Sequence, residues 1–168
     1  MVFSIEGWEF DVDLSQTMAY SAAEAAEHCT CAYCRNFYAA VDQEYPALRP
    51  YLAQFGLDIE APDEQMPYDY QEKMYYDSVY MVSGTILSMG RKPLRVGDVL
   101  ILPKSADDVQ INHSCPEPCF ALDVGTVALP WVLDEPLKDV VSPANEPPFL
   151  KKMWQRLLGK AQKDKTDS

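Results

Sequence analysis

Residues 79–133 constrain the fold most. Four stretches there, 79–87, 94–102, 109–112 and 120–133, are rich in Val, Ile, Leu and aromatic side chains and are separated by short Gly, Pro, Asp and Ser punctuation. Such spacing describes four or more antiparallel strands, and hence a sandwich or small barrel. Val99, Leu100, Ile101 and Leu102 are apolar on both faces of their strand, which places it centrally. A β unit over about 75–133 follows.

The first half of the chain reads differently. Trp8, Phe10, Val12 and Leu14 alternate with Glu9, Asp11 and Asp13, a half-buried strand with one acidic face. Phe3 and Ile5 have the opposite parity, so Glu6-Gly7 is expected to be a tight turn or bulge. Ser21-Ala22-Ala23-Glu24 matches a capping box and sets the expected start of a helix at Ser21. A second helical pattern, Phe37, Val41 and Tyr45, runs from Cys34 to Pro46. Pro50 suits the first turn of a short helix over 51–55, ended by Gly56. The acidic, proline-containing residues 57–74 read as an irregular connection.

The fold class expected is therefore α+β. An N-terminal strand and helices, about 15–57, pack on the C-terminal antiparallel sandwich or barrel, all within one domain spanning 1–146. Pro136, Pro143, Pro147 and Pro148 make residues 134–148 a stiff tether. Beyond it, Phe149, Leu150, Met153, Trp154, Leu157 and Leu158 recur at helical spacing opposite Lys151, Lys152 and Arg156, so 147–168 reads as a basic amphipathic helix with a frayed tail.

The formal net charge is −12, from 26 acids and 14 bases. Phosphate contacts need a basic face, so nucleic acid is not an expected partner. Residues 149–168 hold six basic side chains and two acids, which leaves 1–148 strongly acidic. The basic tail is thus expected to dock on the chain's own acidic surface or on a second copy rather than on a membrane surface. The N-terminus lacks a basic leader and no segment approaches a bilayer-spanning apolar run, so the reading is cytoplasmic.

All five cysteines and both histidines fall in two patches, His28-Cys29-Thr30-Cys31-Ala32-Tyr33-Cys34 and His113-Ser114-Cys115-Pro116-Glu117-Pro118-Cys119. In a reducing compartment this favours metal binding or free thiols over disulfides. Zinc takes four tetrahedral Cys or His ligands, with Cys as thiolate. On a continuous helix, His28, Cys31 and Cys34 share one stripe and Cys29 faces away. A helix that ends near Glu27 and restarts near Cys31 instead lets Cys29, Cys31 and Cys34 converge, with the new helix's amides favouring thiolate. His28, Cys29, Cys31 and Cys34 are the candidate zinc ligands. The competing reading is unligated thiols acting as small hydrophobes. Arg35 could screen the thiolates and Asn36 could donate to a sulfur. His113, Cys115 and Cys119 read as a proline-stiffened hairpin tip that lends one ligand or none.

The pattern Cys29, Cys31, Cys34, Asn36, Phe37 (Cys-x-Cys-x-x-Cys-x-Asn-Phe) resembles a box of small uncharacterised bacterial proteins. That resemblance covers about ten residues and implies a bacterial origin, but no activity. Residues 96–103, a Gly97-Asp98 turn feeding a strand that ends at Pro103, resemble the second half of cupin domains; the His-x-His box that carries a cupin's metal has no counterpart between residues 70 and 95.

Tyr68, Tyr70, Tyr75, Tyr76 and Tyr80 lie among acids, where core packing competes with a protein-recognition surface. No Gly-rich phosphate loop and no nucleophile motif is present. The expected function is non-enzymatic: an acidic protein with a structural zinc at the Cys box, binding a protein partner or itself. The alternative is a thiol- or metal-dependent enzyme with an open metal position near Cys29–Cys34 and His113.

Overall fold

The computed structural model describes residues 1–70 and 73–137. The expected amphipathic helix, most of the tether and the domain boundary at 146 lie outside the described residues. Within them the chain is α+β, with three helices and a seven-stranded antiparallel sheet. The elements are β1 (Val2–Ile5), β2 (Trp8–Val12), α1 (Leu14–Ala26), α2 (Ala32–Glu44), α3 (Leu48–Ala53), β3 (Glu64–Tyr70), β4 (Lys73–Ser88), β5 (Leu94–Val96), β6 (Val99–Ser105) and β7 (Cys119–Leu129). The strand order is β1-β2-β4-β7-β6-β5, with β3 also on β4. No strand pair joins β1 to β5 among the described residues, so the sheet does not close into a barrel by pairing.

β4 organises the sheet. Its first half pairs with β3 and its end with β2, while its other edge pairs with β7 from Met74 to Ser83. With partners on both edges and cover on both faces, it is buried almost continuously from Met74 to Ser83. The crossing of β2 onto β4 depends on Gly84. Its φ is +146°, and a Cβ there would lie 2.2 Å from the Asp11 carbonyl oxygen. The β1–β2 turn is Glu6-Gly7 as expected, with φ of 50° and 84° and Ile5 opposite Trp8.

The two faces of the sheet differ. One carries the main core, in which Phe10, Phe37, Val41, Leu48, Leu52, Phe55, Tyr76, Tyr80, Phe120 and Leu122 pack together, bringing α2 and α3 against β2, β4 and β7. Leu94, Val96 and Val99 join the same cluster, so both ends of the sheet curl towards one core. Trp8 Nε1 fastens that curl by donating to the Lys92 carbonyl at 2.7 Å. On the other face, Tyr20 of α1 packs with Val79, Met81, Cys115 and Ala121.

Several features depart from the sequence reading. Helix α1 starts at Leu14, not at Ser21, because Asp13 caps it: its carboxylate accepts the Gln16 amide at 3.0 Å. Ser21 is instead buried inside the helix, its hydroxyl accepting the Asp58 amide at 2.8 Å. Residues 64–70 form strand β3 rather than an irregular connection. Pro67 hid this strand, but β3 lies at an edge, where a missing amide hydrogen costs no ladder bond. Residues 109–112 are not a strand: after a short 3-10 turn, Ala106–Asp108, the chain runs irregularly to Cys119, with Val109 and Ile111 packed beside Tyr20 and Cys115. β7 pairs with β4 and β6, which leaves it no edge for a hairpin partner. Strand β6 alternates buried and half-buried residues rather than burying both faces.

Candidate metal centre

Helix α1 ends at Ala26 and α2 begins at Ala32, with Cys31 as its N-cap residue in extended conformation. The helix is broken, and the break lets Cys29 turn inward. The sulfurs of Cys29, Cys31 and Cys34 all lie within 4.8 Å of one another. Zinc–thiolate bonds of about 2.3 Å at tetrahedral angles require sulfurs roughly 3.8 Å apart, so small side-chain rotations suffice. Cys29 and Cys31 are exposed, whereas Cys34, on the first turn of α2, is buried.

The three thiols differ electrostatically. Burial pushes the Cys31 thiol up, but the Cys34 amide, the neighbouring thiols of Cys29 and Cys34 and the Tyr33 amide outweigh it, and its net shift is downward. Cys31 makes no well-formed capping hydrogen bond, yet it sits in the field of the first amides of α2. Cys34 moves the other way. Burial raises it, and the thiols of Cys31 and Cys29 raise it further. Without an ion Cys31 thus ionises more readily than Cys34, whose thiolate is held back by burial and by its neighbours. A dication would remove that restriction by neutralising several thiolates at once.

His28 does not stand among the converging ligands. Its exposed ring lies against Tyr38, with centroids 4.9 Å apart. Tyr38 is itself beside Cys34: burial first, then the Cys34 sulfur, raises its hydroxyl pKa. Arg35 spans the Cys loop and the segment after β7. Its Nε donates to the Thr30 carbonyl at 3.0 Å and its guanidinium pairs with Glu135.

Asn36 does not serve the sulfurs. It is fully buried, its Nδ2 donates to the Tyr76 hydroxyl at 3.1 Å and to the Pro130 carbonyl at 3.0 Å, and its Oδ1 accepts the Val132 amide at 2.7 Å. Both amide hydrogens are spent on a clamp between α2 and the end of β7. Tyr76 completes it by donating to the Tyr33 carbonyl at 3.0 Å, one residue before Cys34. Asn36 and Phe37 of the Cys box therefore anchor the helix that presents Cys34.

The second patch stays separate. His113, Glu117 and Cys119 form their own group, with ligand atoms within 4.8 Å of one another. Cys115 is buried beside it among Tyr20, Val79, Met81 and Ala121. Burial, then Cys119 and Asp63, pushes the Cys115 thiol up to about 12; burial, then Glu117, pushes Cys119 up to about 11. Glu117 is a donor that sequence reasoning passed over, although it sits two residues before Cys119.

Two acids on this face, Asp77 buried and Asp63 half-buried, were also missed. Asp63 accepts from the Tyr20 hydroxyl and from the Met81 amide at 2.7 Å, and burial raises its pKa despite those bonds. Asp77, at an irregularity in β4, is raised to about 7 by burial and then by Asp123, with the Thr126 amide and Lys104 opposing. Its Oδ1 accepts the Thr126 amide at 3.3 Å while its buried Oδ2 has no hydrogen-bond partner among the described residues. The only sequence signal for either was an acid inside or beside an apolar strand.

The tyrosine cluster divides. Tyr76 and Tyr80 are core residues, and Tyr80 donates to the Ile59 carbonyl at 2.8 Å. Tyr68 and Tyr75 are half-buried and stack across the β3–β4 hairpin at 5.4 Å. No described helix is long and apolar enough to cross a membrane. Comparison with protein-family models gives no match, and neither the curated proteins nor the solved structures give a significant one.

Proposed function

We propose that Cys29, Cys31 and Cys34 hold a structural zinc ion that ties the end of α1 to the start of α2, in a non-enzymatic protein that binds a protein partner. The convergence of three sulfurs at a helix break carries this reading. His28 supplies the fourth ligand. It lies in the same exposed loop, already against Tyr38 beside Cys34, and needs only a loop rotation to face the sulfurs. The acidic surface and the stacked Tyr68–Tyr75 pair on an edge hairpin provide a face for the partner.

A second reading rests on the ligand count. Three converging thiols and no fourth leave one coordination position, which in zinc enzymes holds water or substrate. His113 does not help fill it, since it groups with Glu117 and Cys119.

The test is elemental analysis of protein purified under reducing conditions, followed by urea unfolding with and without a chelator. At least one zinc per chain and a chelator-induced loss of about 2 to 3 kcal/mol are expected when free zinc stands near a hundredfold the dissociation constant of the Cys box. Metal-free protein with five titratable thiols, or a zinc content unchanged from wild type in a Cys31→Ser/Cys34→Ser variant, overturns the reading. Loss of affinity in His28→Ala favours the closed structural site, while unchanged affinity favours the open one.

A further inference from the structure

We propose that His113, Glu117 and Cys119 form a second metal site, for a divalent cation of the zinc class, with three protein donors and one coordination position open to solvent or substrate. The proposal does not rest on the Cys-box reading, because the two groups share no residue.

Geometry gives the first argument. One imidazole nitrogen, one carboxylate oxygen and one thiol sulfur lie within 4.8 Å of one another. Zinc bonds of about 2.0 to 2.3 Å bring three such donors onto one ion with small rotations. The mixed donor set also selects the ion: calcium and magnesium take oxygen ligands, whereas nitrogen and sulfur favour zinc and its transition-metal neighbours.

The second argument is an orphan atom. The Nδ1 of His113 is buried without a hydrogen-bond partner among the described residues. Buried polar atoms are rarely left so, and a bound cation gives this imidazole a role its surroundings do not.

The third is preorganisation. Cys119 begins β7 in register with Ser83, and the Gly84 amide donates to the Pro118 carbonyl at 2.7 Å, so the donor segment is fastened to the central strand. The Cys119 amide donates to Glu117 Oε2 at 3.1 Å, which aims the carboxylate back at its own cysteine. Cys119 on its strand and Glu117 bonded to its amide thus need little reordering to bind.

Access gives the fourth. Glu117 and Pro118 form part of the wall of an open cleft of about 520 Å³ whose other lining residues include Met1, Asp11, Asp13 and Gln16. Cys115 is not one of the three donors: its thiol, in its apolar cluster, lies 4.0 Å from the Pro116 carbonyl and touches Cys119 from the buried side. Of the three donors Glu117 lines this cleft, which gives an exchangeable ligand a route to the carboxylate side of the group.

Full-length protein, stripped of metal and kept reduced, is titrated with cobalt(II), reading thiolate-to-cobalt absorption and metal retained after desalting. The wild type is expected to bind two equivalents, and His113→Ala and Cys119→Ser one each. Cys115→Ser should still bind two. The Cys29→Ser/Cys31→Ser/Cys34→Ser variant should keep one equivalent with about a third of the Cys-box thiolate absorption, as one sulfur against three implies. Should that variant not fold, the count in His113→Ala and Cys119→Ser decides. Two equivalents surviving in both, or a wild type that saturates at one equivalent still bound by both, overturns the second site. One equivalent in the wild type, kept by the triple variant and lost in His113→Ala, would sustain this site while removing the Cys-box reading.

Discussion

The two faces of the β4–β7 pair are built from different chemistry. On the α2–α3 face three neutral groups form the polar network: Asn36, Tyr76 and Tyr80 each hand their hydrogens to carbonyls or hydroxyls within an aromatic core. On the α1 face the polar groups titrate. Asp63, Asp77 and Asp123 lie there with His113, Lys104 and two thiols, and the apolar cluster is small. A neutral network, once satisfied, stabilises at any pH, whereas buried acids make stability conditional on protonation. Each face also carries one cysteine patch. The three-thiol box sits at the rim of the neutral face and the mixed His-Glu-Cys group on the titrating one.

The contrast is tested most strongly at Asp77. Its folded pKa, about 7, lies above its ordinary 3.8, so the folded state holds a proton that the unfolded chain releases. The stability this contributes is fully present below 3.8 and is lost as pH rises through about 7. Asp77→Asn keeps an acceptor for Thr126 and removes the titration. It should raise stability near pH 7.5 by as much as about 4 kcal/mol and flatten the urea-unfolding free energy between pH 4 and 7. An unchanged pH slope would show that this face is not governed by its acids.

Asn36→Ala comes next. It strips three hydrogen bonds from a fully buried clamp and leaves the Val132 amide without its acceptor. A loss of about 3 kcal/mol is expected, equal at pH 5 and pH 8. A strongly pH-dependent loss would break the distinction between the faces. Arg35→Ala is the smallest. Its ion pair with Glu135 is almost half exposed, so the stability cost should stay under about 1 kcal/mol. Because Arg35 also holds the Thr30 carbonyl, zinc affinity should weaken by more than stability does. Titration of the variant beside its unfolding curve separates the two effects.

Much of this was legible from local pattern. Alternation in residues 8–12, the Glu6-Gly7 turn, the helix running to Pro46 and the Gly97-Asp98 turn between β5 and β6 all rest on short-range backbone chemistry and were read correctly. The capping box at Ser21 misled because a serine side chain can bond to its own helix or to a distant amide, and only packing against Asp58 chose between them. Pro67 misled because its cost depends on whether a strand is central or at an edge. For the Cys box, spacing narrowed the choice to a continuous or a broken helix, and the fold selected the broken one.

By itself the sequence determined the α+β class, most strands and helices of the described chain, and the three cysteines able to share an ion, because each depends on neighbours within a few residues. The tertiary structure alone decided that Asn36 clamps rather than ligates and that Asp77 is buried beside Asp123. It also decided that Glu117 joins His113 and Cys119 while Cys115 stays in the apolar cluster beside them. Those outcomes depend on which strand lies across from which, and strand register is set by burial over the whole sheet, a long-range quantity that local spacing does not encode.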